Sequence, residues 1–205
     1  MAKRAGYHHG DLKATLVAGA LELIAERGVA SLSVAEVARR AHVSGGAPYR
    51  HFPSRQALLT AVATKAAHTL ADRLREVSTG AGPDPVENMA TVVAAYARFT
   101  AEHGAGFDLI FAVELSGRGN EELADAGRTV MDALLQAALP VTGDAKAALG
   151  LIGRTFAAAH GYATLWRSGL YINRNSTVDD VTSEAAAIAR TLAGSVQTPL
   201  PRTRS

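Results

Sequence analysis

The chain of 205 residues holds 21 Lys and Arg against 19 Asp and Glu, a formal net charge of +2, and 48% of it is hydrophobic but only 5% aromatic. That supplies enough apolar material for a packed core, and the length allows one domain or a small head plus a larger body. There is no cysteine, which excludes disulfides, thiolate catalysis and cysteine metal sites.

The charge is unevenly placed. Residues 1–55 carry eight Lys or Arg and four Asp or Glu, a net +4, and four of the seven histidines; the remainder carries 13 basic and 15 acidic residues, a net −2. A basic head on a slightly acidic body fits a polyanionic partner at one end. The N-terminal stretch MAKRAGYHHGD has no apolar h-region, so no signal peptide is expected. No apolar run approaches the roughly 18 residues of a membrane span. The greasiest stretch, FDLIFAVEL, is interrupted by Asp108 and Glu114. A cytoplasmic protein without membrane contact is expected.

The elements read almost entirely as helix, with no convincing strand alternation, so the fold class is all-α. A first helix is expected over about residues 11–27, with Leu12, Leu16, Ala20, Leu23 and Ile24 on one face and Gly28 ending it. Ser33 stands three residues ahead of Glu36, the spacing of a capping box. Val34, Val37, Ala38 and Ala41 follow at i, i+3, i+4 and i+7, one apolar helical face. The small residues Ala38 and Ala41 allow close approach of another helix. Residues 42–44 break the pattern, Val43 can plug the corner, and Ser44 can cap a second short helix through residues 47–49. Two helices joined by a turn of three or four residues is the geometry that sets the second helix in a major groove.

Ser54 opens a longer helix to about residue 77, through Leu58, Leu59, Val62, Ala66 and Leu70. STGAGPDP reads as a loop, with Asp84 as cap and Pro85 at the first helical position of a helix to about residue 102. Residues 103–106 form a break, a short helix covers 107–115, and SGRGN breaks the chain again. Helices are then expected over about 121–139, 144–168 and 178–196, and the tail QTPLPRTRS (197–205) reads as disordered. The organisation expected is a DNA-binding head over 1–53, with a basic arm over 1–10, and a helical body over 54–196.

LELIAERG, the Ser33–Val34 start, EVARRA, VS, PYRHF and the Phe52–Pro53–Ser54–Arg55 run occur in that order within residues 16–59. With these residues the chain resembles the tetracycline-repressor (TetR) family of one-component regulators. The resemblance implies nine helices: three in the head, a fourth as connector and five in the body. It implies a homodimer on a palindromic operator in double-stranded DNA, and release by a small-molecule effector.

The resemblance also assigns roles. Tyr49 matches a tyrosine whose hydroxyl bonds a phosphate, Arg55 stands where the family usually has a phosphate-binding lysine, and Ser33 matches a phosphate-contacting Ser or Thr. From pattern alone, Tyr49 is equally a core aromatic and Arg55 equally a solvated charge. For base readout, Gly45 and Gly46 offer no side chain, Ala47 can touch a thymine methyl, Ser44 can bond a base or a phosphate, and Arg50 can read guanine through two bonds. His51 either reaches DNA or packs inside the head. Of Arg39 and Arg40, one can reach a phosphate. Lys3, Arg4, His8 and His9 form the arm.

Two departures from the family matter. His42 replaces a common glycine, and a left-handed backbone there would cost it roughly 1 kcal/mol. Pro48 is tolerated only in a first helical turn, which puts the start of the short helix near Gly46 or Ala47.

In the body, the eighth and ninth expected helices (144–168 and 178–196) are alanine-rich and suit the family's dimer contact. HGYATLW, with His160, Gly161 and Trp166, resembles a TetR subgroup marked by Trp, His and Gly, although Phe156 occupies the tryptophan's place. Effector-site candidates are Tyr96, His103, Phe107, Phe111, Glu114, Phe156, His160 and Trp166, with Phe99, Met131 and Leu135 beside them. An apolar cavity with one or two polar anchors is the default site for a small hydrophobic effector. No cofactor or metal is expected. Two other readings stay open: a DNA-binding or architectural dimer without an effector, and a helical-bundle enzyme using His103 and His160. The second lacks any Glu-x-x-His pair or Gly-rich phosphate loop.

Overall fold

The computed structural model describes residues 9–111, 120–170 and 175–197, and of residues 9–11, 105–108, 111 and 197 the backbone alone. The arm residues Lys3, Arg4 and His8, the tail 198–205, Glu114, and the side chains of His9, Phe107 and Phe111 lie outside this description.

Among the described residues the structure has seven α-helices and no strand: α1 (His9–Arg27), α2 (Val34–Arg40), α3 (Arg55–Gly80), α4 (Pro85–Asp108), α5 (Glu121–Thr142), α6 (Ala145–Arg167) and α7 (Val178–Gln197). Two of the nine expected helices are reduced to 3₁₀ turns, at Pro48–Arg50 and, for the part of 107–115 that is described, at Leu109–Phe111. Gly45 and Gly46 have weak helical preference and Pro48 has no N–H, so the first of these segments cannot sustain a regular turn ahead of residue 48.

The chain divides into two compact units, residues 1–67 with 105–126, and residues 68–104 with 127–205. The first unit is built on Leu16, Leu23 and Ile24 of α1, Val34 and Val37 of α2, and Phe52, all buried. Leu58, Leu59 and Val62 of α3 join them, as do Leu109 and Leu123. The first turns of α3 therefore contribute to the core of this first unit.

The second unit buries Leu70 and Leu74 of α3, Met89, Val92 and Val93 of α4, and Leu151 and Ile152 of α6. Helices α6 and α7 pack against one another. Ala148, Ala159 and Ala163 of α6 and Ala185, Ala189 and Ala193 of α7 are buried, so two helices with short side chains can approach closely.

The helix ends follow local chemistry. Ser54 Oγ accepts from the Ala57 amide at 3.1 Å, Asp84 Oδ1 from Val86 at 2.9 Å, and Asp144 Oδ1 from Ala147 at 2.8 Å, so three orphan amides are satisfied by caps. The capping box expected at Ser33 does not form. Ser33 has the extended N-cap backbone, but its side chain makes no cap bond. Glu36 is drawn to Arg39, whose Nε and Nη2 donate to it at 3.1 and 2.5 Å. A reciprocal box occurs instead at α7: the Thr177 amide donates to Asp180 Oδ2 at 2.7 Å and the Asp180 amide to Thr177 Oγ1 at 3.3 Å. The expected loop at 78–84 is shorter, since α3 continues to Gly80. Likewise α5 continues through Pro140 to Thr142.

Candidate nucleic-acid interface and effector site

The end of α2 fixes the surface that follows it. His42 N–H donates to the Arg39 carbonyl at 3.1 Å and Val43 N–H to the Ala38 carbonyl at 3.0 Å. This pair of bonds is a Schellman closure with His42 at its left-handed position, φ 55. His42 is the only non-glycine residue with positive φ among the described residues. Val43 then packs on the head core, and the chain turns out through residues 44–47, where the Ala47 amide donates to the Ser44 carbonyl at 2.9 Å. Ala47 takes the N-cap of the 3₁₀ turn and Pro48 its first position, as the missing N–H requires. Pro48 is buried. Beside it Tyr49 is 54% exposed and Arg50 is exposed, whereas Phe52 goes into the core. Of the two environments open to Tyr49, the structure gives the exposed one. Ser44, Gly45 and Gly46 are exposed too, and nothing lies within 4 Å of a Cβ added at either glycine. His51 is half-buried, its ring 6.4 Å from that of Phe52.

The two arginines of α2 separate. Arg40 is pinned to α1, donating to Glu26 at 2.9 and 2.6 Å and to Glu22 at 3.4 Å. Arg39 stays exposed on the same side of the chain as Glu36, whose carboxyl is held below the usual range by the Arg39 hydrogen bonds. Arg55 is exposed, and its guanidinium also bonds backbone: Nε donates to the Leu32 carbonyl at 2.9 Å and Nη2 to the Val29 carbonyl at 2.6 Å. It ties the start of α3 to the loop between α1 and α2. Ser33 is exposed at that loop's end.

In the second unit the candidate effector residues fall into three places. Tyr96 is buried, its ring 4.4 Å from and edge-on to Phe156, and its hydroxyl lies 3.3 Å from His160 Nδ1. His103 lies elsewhere, stacked on Phe99 with ring centroids 4.0 Å apart. Trp166 belongs to neither group. Its Nε1–H donates to the Ser176 carbonyl at 2.8 Å, which clamps the end of α6 to the segment before α7. Met131 is partly exposed on α5. An open cleft of about 380 Å³ between α3 and α4 is lined by Thr69, Arg73, Ala95, Arg98, Phe99, Glu102 and His103. Sequence reasoning missed Arg73 and Arg98 because it looked for an apolar pocket. For Arg98 the signal was its spacing of one turn from Glu102, with His103 beside it. Among the described residues, no group of three or more His, Asp or Glu is placed to hold a metal ion. No helix there is long and apolar enough to cross a membrane.

The family model of bacterial regulatory proteins of the tetR family matches residues 16–62, and that of the tetracyclin repressor-like C-terminal domain matches residues 89–192. The chain belongs to the TetR family. No curated protein matches it in sequence. Among solved structures it is similar to a protein of unknown function from Rhodococcus sp. RHA1, with 28% identity over 92% of this chain and 98% of that one and a TM-score of 0.77. The fatty acid degradation regulator FadR of Bacillus halodurans shares the fold at 16% identity, covering 96% of this chain and 100% of that one, with a TM-score of 0.66. So does a TetR-family transcriptional regulator of Bordetella parapertussis, at 19% identity over 89% and 95%, with a TM-score of 0.59.

This TetR-family chain is a transcriptional regulator with a helix-turn-helix head. Its departures from the family pattern sit together at residues 42–48. His42 closes α2 in the conformation glycine usually supplies, and two glycines and a proline shorten the second helix of the motif to a single turn.

Proposed function

We propose that this regulator is a cytoplasmic repressor that binds a palindromic operator as a two-fold homodimer and is released by a small molecule held in its C-terminal body. The observation that carries the DNA-binding part is the projecting turn at 44–50. Pro48 anchors it in the core, while Tyr49, Arg50 and a bare Gly45–Gly46 stretch face solvent. Bare backbone lets a nucleic acid come close, the Tyr49 hydroxyl and Ser33 suit phosphates, and Arg50 suits a guanine edge. Ser44 and Ala47 flank the same turn, His51 closes it, and Arg39 lies on the helix before it. Arg55 takes part through the loop it braces, which carries Ser33.

The dimer is proposed through α6 and α7. Leu149 and Leu165 of α6 are 51% and 48% exposed, and Gly153 and Ala157 between them are exposed as well. On α7, Ala187 and Thr191 continue an exposed, mostly uncharged strip. A long apolar strip on a soluble helix pair is suited to burial against its own copy. A two-fold dimer sets its heads on half-sites about one helical turn apart, so a small pivot of α3 spoils the fit. The test is operator binding measured by fluorescence anisotropy against a panel of small molecules. A saturable loss of affinity with one of them supports release by an effector; a panel without effect favours an effector-independent DNA-binding dimer.

A further inference from the structure

The cleft between α3 and α4 is more specific than an apolar pocket. Thr69 and Arg73 stand one turn apart on α3; Ala95, Phe99 and His103 recur every four residues on α4, with Arg98 and Glu102 one position earlier. Its volume, about 380 Å³, falls among small-molecule sites. The exposed His103 ring stacks on the buried Phe99 ring at 14°, so the outer face of His103 is the flat surface this pair offers the cleft. His103 Nδ1 lies 3.0 Å from the Phe99 carbonyl, which can only accept, so Nδ1 is assigned the proton of this bond.

Both arginines are held by carboxylates at the rim. Arg73 bonds Glu76 at 2.8 Å, and Arg98 bonds Glu102 at 3.4 Å and Asp179 at the start of α7. The Glu76 and Asp179 side chains are 70% and 81% exposed. Ion pairs this open to water are weak, so another carboxylate can replace them at little cost. A guanidinium takes a carboxylate through two parallel bonds, which fixes orientation as well as charge. Glu102 in the lining disfavours a second negative charge on the ligand.

We infer that this cleft seats the effector, and that the effector is a small monocarboxylate with a flat apolar body. Arg98 and Arg73 bind the carboxylate, which displaces Asp179 from Arg98, and the body lies against the His103 ring. The inference rests on the reading of the chain as an effector-released regulator. It also supplies a consequence of binding: Arg98–Asp179 and Arg190–Glu87 are ion pairs that tie α4 to α7, and the ligand removes the first of them.

The test uses the full-length protein without DNA, in isothermal titration calorimetry. Benzoate, cinnamate, 2-naphthoate and octanoate are each compared with the corresponding primary amide, which keeps the body and removes the charge. The expected result is saturable binding of an aromatic acid, with its amide weaker by about tenfold or more. Arg98→Gln loses a similar factor, Arg98→Lys falls between because it keeps the charge without the fork, and Asp179→Asn binds more tightly than the parent chain. Acid and amide binding alike, an affinity untouched by Arg98→Gln in a variant with unchanged circular dichroism, or no saturable heat from any of the four acids at millimolar concentration would overturn the inference. Octanoate binding more tightly than every aromatic acid would overturn the flat body. Acids that bind as expected but leave operator affinity unchanged would uphold the site and overturn release by an effector. Operator release by neutral compounds alone would do the reverse.

Discussion

Tyr49 and Phe52 are aromatic residues three positions apart with opposite environments, one projecting into solvent and one in the core. The 3₁₀ turn at Pro48–Arg50 buries Pro48 and leaves Tyr49 and Arg50 exposed. Tyr49→Phe therefore leaves folding unchanged and weakens DNA binding by about 1 kcal/mol, one net hydrogen bond, on every sequence tested. Fluorescence anisotropy on several duplexes checks this, and an unchanged affinity would remove the hydroxyl from the phosphate role. His42→Gly relieves a left-handed backbone but loosens the unfolded chain, for a net gain of about 0.5–1 kcal/mol in urea denaturation. The place of His42 was legible in sequence, as the position after EVARRA, whereas the pattern around Tyr49 left core and solvent equally open. The contacts of Arg55 and Trp166 were not legible. Their partners are the backbone carbonyls of Val29, Leu32 and Ser176, and carbonyls leave no mark in a sequence.

At the scale of elements, helix periodicity and caps gave the long helices to within a few residues, and Ser54, Asp84 and Asp144 cap where their residue types suggest. The failures are competitive ones. At residues 33–36 the spacing fits a capping box, but the Arg39 guanidinium one turn further on outbids the Ser33 amide for Glu36. Gly104 is a break that sequence did show: it lies within α4 at φ 50, ψ −128, a conformation closed to residues with a side chain. An added Cβ there would also meet the Arg167 guanidinium at 3.0–3.2 Å. Gly104→Ala should cost about 1–3 kcal/mol in denaturant unfolding, an estimate for backbone held in a sparsely populated region. Gly45→Ala should behave oppositely. Its φ is not positive and the space is open, so stability is kept or raised, while operator affinity falls if the backbone there meets DNA. Parallel melting and binding measurements separate the two glycines; equal operator affinity for Gly45→Ala would show that the turn does not approach the DNA that closely.

For the molecule as a whole, the sequence showed a basic head and an acidic body but not where one compact unit ends. The buried Leu58, Leu59 and Val62 of α3 and Leu109 and Leu123 belong to the core of the first unit, and contacts between distant segments are invisible to local patterns. Acid sensitivity is a property at this scale. Hydrogen bonds from Arg40 to Glu26, Arg39 to Glu36 and Arg190 to Glu87 hold those carboxyls below the usual glutamate range, and the bonds to Thr177 do the same for Asp180. A lowered folded pKa means stability that is fully present above the unfolded value, about 4.3 for glutamate, and is lost as pH falls through the lower folded value. Thermal midpoints should therefore decline on the acid side, with a shallower decline in Glu87→Gln; equal slopes would deny the α4–α7 pair that role. For the proposed dimer through α6 and α7, Leu149→Glu with Leu165→Glu should give a folded monomer by sedimentation, with operator affinity lost in parallel. A variant that stays dimeric would move the interface away from α6.

The most direct measurement selects bound fragments from sheared DNA of the source organism and repeats the binding at rising salt. An enriched palindrome, with half-sites about one helical turn apart and affinity falling steeply as salt rises, is the result predicted for a sequence-reading dimer. Weak, salt-labile binding with no enriched sequence would contradict it, because the turn at 44–50 would then hold phosphates without reading bases.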